Sequence, residues 1–241
     1  MIYDIAGLRV LIKNRCRFTT EFCKAYLSSD QESPFDIETV VTNEEFYKEK
    51  ELSVGFSDGY IENICLYRKL CVQLPTRNRM LLHCAVLDYE GGAYAFLGRS
   101  GTGKSTHTGL WLQYVQGTDI VNGDKPILSF TDDAVLAHGT PWMGKEGLGR
   151  KVNAPLKALV FLEQAKENVI RKLSPSETSM KLFSQMLFPT DEENAAKTLE
   201  LADEMINRVP AYLLKCDISE EAVRVCYEAV TGKPYLKKNK E

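Results

Sequence analysis

Residues 98–106 read Gly-Arg-Ser-Gly-Thr-Gly-Lys-Ser-Thr. Gly98 and Gly103 enclose four residues and are followed by Lys104 and Ser105, the spacing of a phosphate-binding loop. Glycines at 98, 101 and 103 let a backbone bend tightly and approach a ligand with no Cβ in the way. The amides of Arg99, Ser100, Gly101, Thr102, Gly103 and the residues after them can then converge on phosphate oxygens as an anion nest. A helix starting near Gly103 would add the positive end of its dipole. In such a loop Lys104 reaches the β- and γ-phosphates, the Ser105 hydroxyl ligates Mg²⁺, and Thr106 closes the binding set. The loop reads phosphates and not the base, so ATP and GTP satisfy it equally.

A second stretch with chemical potential is residues 139–151, which hold four glycines together with Pro141, Trp142, Lys145, Arg150 and Lys151. It reads as a functional loop. Lys145 and Arg150 are expected to offset charge on a transferred phosphoryl group as the loop closes over the phosphates. Trp142 is expected to cover the acceptor.

The elements around the first loop suit it. Residues 93–97 read as a strand entering the loop, and residues 106–114 as the helix leaving it. Residues 79–88 form a near-continuous apolar run, read as one buried strand, and Glu90-Gly91-Gly92 is a turn. The two strands make a hairpin, so antiparallel pairing precedes the loop. Short strands are expected at 119–121, 126–130 and 134–137. A central strand follows at 155–162, with 168–173 as its neighbour. Capping signals open helices at Ser174 and Thr190, and Ser219 caps the last helix, which ends near Gly232. A strand at 211–216 comes between them. Upstream, strands are expected at 7–13 and 36–41. A capping box at Thr42 and Glu45 opens a helix over 43–49, and another helix over 58–73 stops before Pro75. The domain reading is a small α+β N-terminal lobe over 1–78, a nucleotide-binding kinase-like domain over 79–236, and a charged tail over 237–241.

Composition narrows the function classes. The 241 residues carry a net charge of −3, without the basic footprint of a nucleic-acid partner. No apolar run reaches the length of a membrane span, and the N-terminus lacks the pattern of a signal peptide. Seven cysteines, none in a Cys-x-x-Cys pair, speak against a zinc or disulfide framework and fit a reducing compartment. The expectation is a cytoplasmic protein without a membrane or nucleic-acid partner; oligomeric state is left open.

Leu82-His83-Cys84-Ala85, the hairpin, the loop at 98–106 and Asn122-Gly123-Asp124, in that order, resemble the nucleotide domain of phosphoenolpyruvate carboxykinases. The same order is similar to HPr kinase/phosphorylase. The resemblance covers about residues 80–165. It implies an α/β fold with a mixed sheet, used for phosphoryl transfer, with His83 and Asp124 near the metal or the transferred phosphate. A metal set of Ser105, Asp124 and His83 suits Mg²⁺ or Mn²⁺. Asp124 is otherwise the expected base. Both families carry paired aspartates where this chain has Asp124-Lys125, and the chain is far shorter than a carboxykinase. The expected catalytic set is Asp124, His83, Lys104, Lys145 and Arg150. The leading reading is an ATP-dependent kinase acting on a hydroxyl of a small molecule or of a protein or peptide serine. The alternatives are an ATP-sensing regulatory protein that acts through a partner and, third, carboxykinase chemistry.

Overall fold

The computed structural model describes residues 1–236; the charged tail expected at 237–241 lies outside them. The chain opens with β1 (Ile2–Ile5) and β2 (Leu8–Lys13), an antiparallel hairpin. Its turn is Ala6-Gly7, both with positive φ, as a two-residue hairpin turn requires. The sequence reading missed β1, which is only four residues long. It also missed α1 (Arg17–Phe22). β2 pairs in parallel with β3 (Ile37–Val40), completing a three-stranded sheet. The capping box of Thr42 and Glu45 is present at the start of α2 (Asn43–Leu52). The next helix, α3 (Asp58–Val72), lays Cys65, Leu66 and Leu70 into the same apolar cluster as Tyr3, Val10 and Ile37.

The larger sheet contains nine strands. They are β4 (Arg79–Leu81), β5 (Cys84–Tyr89), β6 (Gly92–Leu97), β7 (Thr118–Asn122), β8 (Ile127–Phe130), β9 (Val135–His138), β10 (Asn153–Gln164), β11 (Val169–Lys172) and β12 (Ala211–Cys216). The order is β4-β8-β9-β10-β6-β5-β7, with β12 also on β10 and β11 outside β12. β6, β10 and β12 run parallel, while β5–β6, β5–β7, β8–β9 and β9–β10 are antiparallel. The sheet is therefore mixed, and the fold is mixed α/β.

Strand alternation builds the layers. Ala93, Ala95 and Leu97 of β6, with Leu159 and Phe161 of β10, join Leu182, Leu201, Ala202 and Met205 in one cluster. Those four belong to α5 (Pro175–Leu182) and α6 (Glu192–Arg208). The alternate residues Tyr94, Phe96, Ala158 and Val160 join Trp111, Val223 and Tyr227 in another. These last belong to α4 (Lys104–Tyr114) and α7 (Glu220–Thr231). β6 thus has helices on both faces, and all six of its residues are buried. Such a strand is a rigid base for the loop that leaves its C-terminal end.

Three expectations need correction. The apolar run at 79–88 is two strands, because β4 pairs with β8 whereas β5 pairs with β6 and β7; the chain crosses between parts of the sheet at Leu82 and His83. The neighbour of β11 is β12, not β10; β12 comes later in the chain and takes the place beside β10 through long-range pairing. The N-cap of α6 is Asp191, whose carboxylate accepts from the Asn194 amide, rather than Thr190. The remaining capping signals stand where the residue types place them, at Ser174 and Ser219.

Residue 139 gives a direct test of how tightly the loop after β9 lies on the sheet. A Cβ at Gly139 would stand 1.8 Å from the Arg150 carbonyl oxygen and 2.8 Å from that of Val121. Gly139→Ala is expected to lower the unfolding free energy in urea by about 3 kcal/mol, the upper range for overpacking.

Candidate functional site

Three backbone segments meet outside the C-terminal end of β6. The first is the loop from Gly98 to Gly103, which enters α4 with Gly103 in the left-handed region at φ 99°. Lys104 is buried at the helix start and donates from Nζ to the Gly98 carbonyl at 2.8 Å. Burial pulls its pKa down and the nearby Asp124 charge opposes that. The loop is braced from within by Thr102 Oγ1, which donates to the Arg99 carbonyl at 2.8 Å. From β10, Gln164 Nε2 donates to the Gly101 carbonyl at 3.0 Å. Ser105 and Thr106 lie exposed on the first turn of α4, and Arg99 is exposed as well.

The second segment is the crossing between β4 and β5. The His83 amide donates to the Gln185 carbonyl at 2.8 Å, and the Cys84 amide to the Asp124 carbonyl at 3.2 Å. Leaving the ladder at this point turns the His83 imidazole toward the loop.

The third segment is the turn after β7. Asn122 is fully buried, and its amide group organises the turn. Its Oδ1 accepts from the amides of Asp124 at 2.9 Å and Lys125 at 2.7 Å. Its Nδ2 donates to Thr140 Oγ1 at 3.1 Å and to the Thr140 carbonyl at 3.2 Å. The turn delivers Asp124 to His83, whose Nε2 lies 3.1 Å from Asp124 Oδ1. The other carboxylate oxygen is held by the Lys125 ammonium. Burial disfavours the charge on Asp124, but the hydrogen bonds from His83 and Lys125 outweigh it and hold the pKa at about 2. A carboxylate of that strength is a poor proton acceptor near neutral pH and a good ion-binding group.

These segments, with Lys145 and Glu146 of the loop at 139–151, line a cleft of about 520 Å³ that contains His83, Ser100, Lys104, Ser105, Asp124 and Lys125. Gly144 belongs to the same wall, where a Cβ would come to 3.0 Å from Asp124 Cβ, so a side chain there would crowd the carboxylate. A second cleft of about 450 Å³ opens on the other side of Gly101 and Gly103. Its walls are Leu110, Leu162, Ala165, Cys216 and Ile218, with Thr106 and Gln164. It lies at the C-terminal ends of β10 and β12, the place where open α/β sheets bind ligands.

The loop at 139–151 divides. Lys145 lines the cleft beside Asp124. Arg150 does not line it, correcting its expected place. Its guanidinium is 3.0 Å from Asp119 and 3.7 Å from Asp88, and its amide donates to the Val121 carbonyl at 3.1 Å. Lys151 faces Asp4 at 3.6 Å. Trp142 is also not at the cleft mouth, being buried with its ring centroid 4.6 Å from that of Tyr67. With Gly123 donating to the Leu148 carbonyl at 3.0 Å and Asn122 bridged to Gly149, the end of this stretch is bound beside β7. His107 and His138 are buried, and burial lowers both to about 4. His107 accepts from Trp111 Nε1 at 3.1 Å, and His138 pairs with Ser129 Oγ at 2.7 Å.

Sequence reasoning missed Asn122, Lys125 and the apolar cleft. Asn-Gly-Asp marks a turn, which hinted at Asn122 as its organiser. Nothing local marks Lys125 as the partner of Asp124, and the second cleft draws on strands far apart in the chain.

The donor set fits a small hard cation only in part. Ser105 Oγ, the Asp124 carboxylate and the His83 imidazole are suitable ligands. Among the described residues no group of three or more His, Cys, Asp or Glu side chains forms a metal cage. An ion such as Mg²⁺ characteristically completes its shell with waters and substrate phosphates.

No family model matches the chain, and no curated protein matches it in sequence. Among solved structures, the HPr(Ser) kinase/phosphatase from Coxiella burnetii is similar at 12% identity and a TM-score of 0.34, over 64% of this chain and 93% of that one. At that TM-score the likeness decides nothing about function. Among the described residues no helix is long and apolar enough to cross a membrane.

The low pKa of Asp124 has a defined consequence. A depressed carboxylate stabilises the fold above its unfolded pKa of about 3.9. That contribution is lost as pH falls through the folded value of about 2. The stability difference between wild type and Asp124→Asn, followed by thermal melting, should shrink as pH falls below about 4.

Proposed function

We propose that this protein binds a nucleoside triphosphate with Mg²⁺ and transfers its γ-phosphoryl group to a hydroxyl. The observation that carries the reading is the convergence of Lys104 and the loop at 98–106 with Asp124 and His83 in one cleft. Phosphoryl transfer needs little beyond positioning and charge stabilisation, and the residues of this cleft supply both. The loop amides and Lys104 hold the β- and γ-phosphates. Ser105 and Asp124 hold the metal, with His83 orienting the carboxylate. Bound Mg²⁺ would neutralise charge on the phosphates. Lys145 offsets the charge that spreads over the transferred group. The apolar cleft beyond Gly101 has the volume and lining of a site for a base and ribose. The acceptor is a small-molecule hydroxyl or a protein or peptide serine.

One observation favours a second reading, a nucleotide sensor that acts through a partner. Asp124 has both oxygens engaged and a pKa of about 2, so it is a weak proton acceptor, and the other carboxylate lining the cleft is that of the exposed Glu146. ADP release that depends on an added hydroxyl acceptor favours the kinase. A partner whose binding shifts with ATP, in the absence of turnover, favours the sensor.

Calorimetry with Mg²⁺-ATP tests the common premise. Wild type should bind, and Lys104→Ala should lose roughly ten- to a hundredfold in affinity, the worth of a charged hydrogen bond. Asp124→Asn should keep nucleotide binding but lose most of its metal dependence. Absence of binding with either Mg²⁺ or Mn²⁺ removes the reading.

The divided loop adds a separate expectation. Lys145→Ala should weaken Mg²⁺-ATP binding severalfold, whereas Arg150→Ala should leave it nearly unchanged and lower the melting temperature instead. Equal effects on affinity would return Arg150 to the site.

A further inference from the structure

Lys125 has no task in that scheme, yet both its backbone and its ammonium are held. Its amide donates to Asn122 Oδ1 at 2.7 Å, and its carbonyl accepts from Thr140 Oγ1 at 2.8 Å. The ammonium lies on Asp124 Oδ2 and 6.0 Å from the centroid of the buried Tyr67 ring. Since His83 holds Oδ1, neither oxygen of Asp124 is without a partner.

A divalent cation and an ammonium cannot share one carboxylate oxygen at small cost, because like charges a few ångströms apart repel strongly where water is partly excluded. A metal alone brings no anion to receive a displaced ammonium, the carboxylates lining the cleft being those of Asp124 and the exposed Glu146, and among the described residues no group of three or more His, Cys, Asp or Glu side chains forms a cage for it. A nucleotide changes both terms. Its phosphates complete the metal's oxygen shell and offer the ammonium new anionic partners.

We propose that Lys125 is the resting counter-ion of Asp124, so that a divalent cation reaches this carboxylate more readily together with a nucleotide than alone, the displaced ammonium moving onto phosphate oxygens. The second half of this exchange rests on the nucleotide-binding reading above. It makes metal and nucleotide binding strongly and reciprocally coupled.

The test uses Mn²⁺ alone as the probe, with free Mn²⁺ read by electron paramagnetic resonance, for wild type, Lys125→Met and Lys125→Arg. Methionine keeps an unbranched stem beside Tyr67 and removes the charge. Without nucleotide, Lys125→Met should bind Mn²⁺ about tenfold more tightly than wild type, equivalent to removing one modest ionic competitor. Lys125→Arg should resemble wild type. Adding ATP should raise the Mn²⁺ affinity of wild type more than that of Lys125→Met. Lys125→Gln repeats the comparison if Lys125→Met melts early. Equal nucleotide-free affinities in wild type and Lys125→Met overturn the proposal, as does Lys125→Arg binding like Lys125→Met. If ATP changes the Mn²⁺ affinity of none of these proteins, the nucleotide reading falls with the second half of the exchange. The nucleotide-free comparison then still decides whether Lys125 guards Asp124.

Discussion

β10 pairs with three strands, in parallel with β6 and β12 and antiparallel with β9. Its N-terminal residues, Asn153 to Pro155, lie against β9, and the later ones, from Leu159 on, against β12. One twelve-residue strand therefore belongs to both halves of the large sheet. Its alternating side chains enter the clusters on both faces. The parallel triplet it makes with β6 and β12 brings three C-terminal strand ends to one edge. The glycine-rich loop leaves the end of β6, and the walls of the apolar cleft come from the ends of β10 and β12 together with Thr106 and Leu110 of α4. If β10 were lost, loop and cleft would no longer share an edge.

On that rigid edge the cleft is organised by a small electrostatic unit. Asp124 is placed between His83 and Lys125, and Lys104 also lies within its electrostatic reach. Such a concentration of partners keeps the carboxylate ionised despite its burial. It requires a fixed turn, and the turn is fixed by the buried amide of Asn122, whose donors and acceptor are all satisfied. The nearby Gly144 leaves room for the Asp124 side chain. The site is thus built less by its charged groups than by the neutral ones that hold them.

Arg150 shows how a charged residue in a glycine-rich stretch can carry structure instead of chemistry. It reaches across β7 to Asp119 and toward Asp88 of β5, fastening the loop to the sheet. Lys145, five residues earlier, faces the cleft. Nothing in residue type separates the two. What separates them is the bridge between Asn122 and Gly149, which binds the second part of the stretch to the strand edge.

Local rules made much of the fold legible. The glycine spacing at 98–106 and the strand and helix around it follow from the sequence, as do the caps at Thr42, Ser174 and Ser219, because each depends on residues within one turn of one another. The break at His83 was not legible, since an apolar run looks the same whether it stays with one partner or changes partners midway. The pairing of β11 with β12, the burial of Trp142 and the wall of the second cleft were hidden for the same reason: each depends on chain segments tens of residues apart. By itself the sequence determined a glycine-rich loop between a strand and a helix, with Lys104 and Ser105 at the helix start. Only the tertiary structure decided which of them meet, by closing long-range strand pairs that set Asp124 between an imidazole and an ammonium.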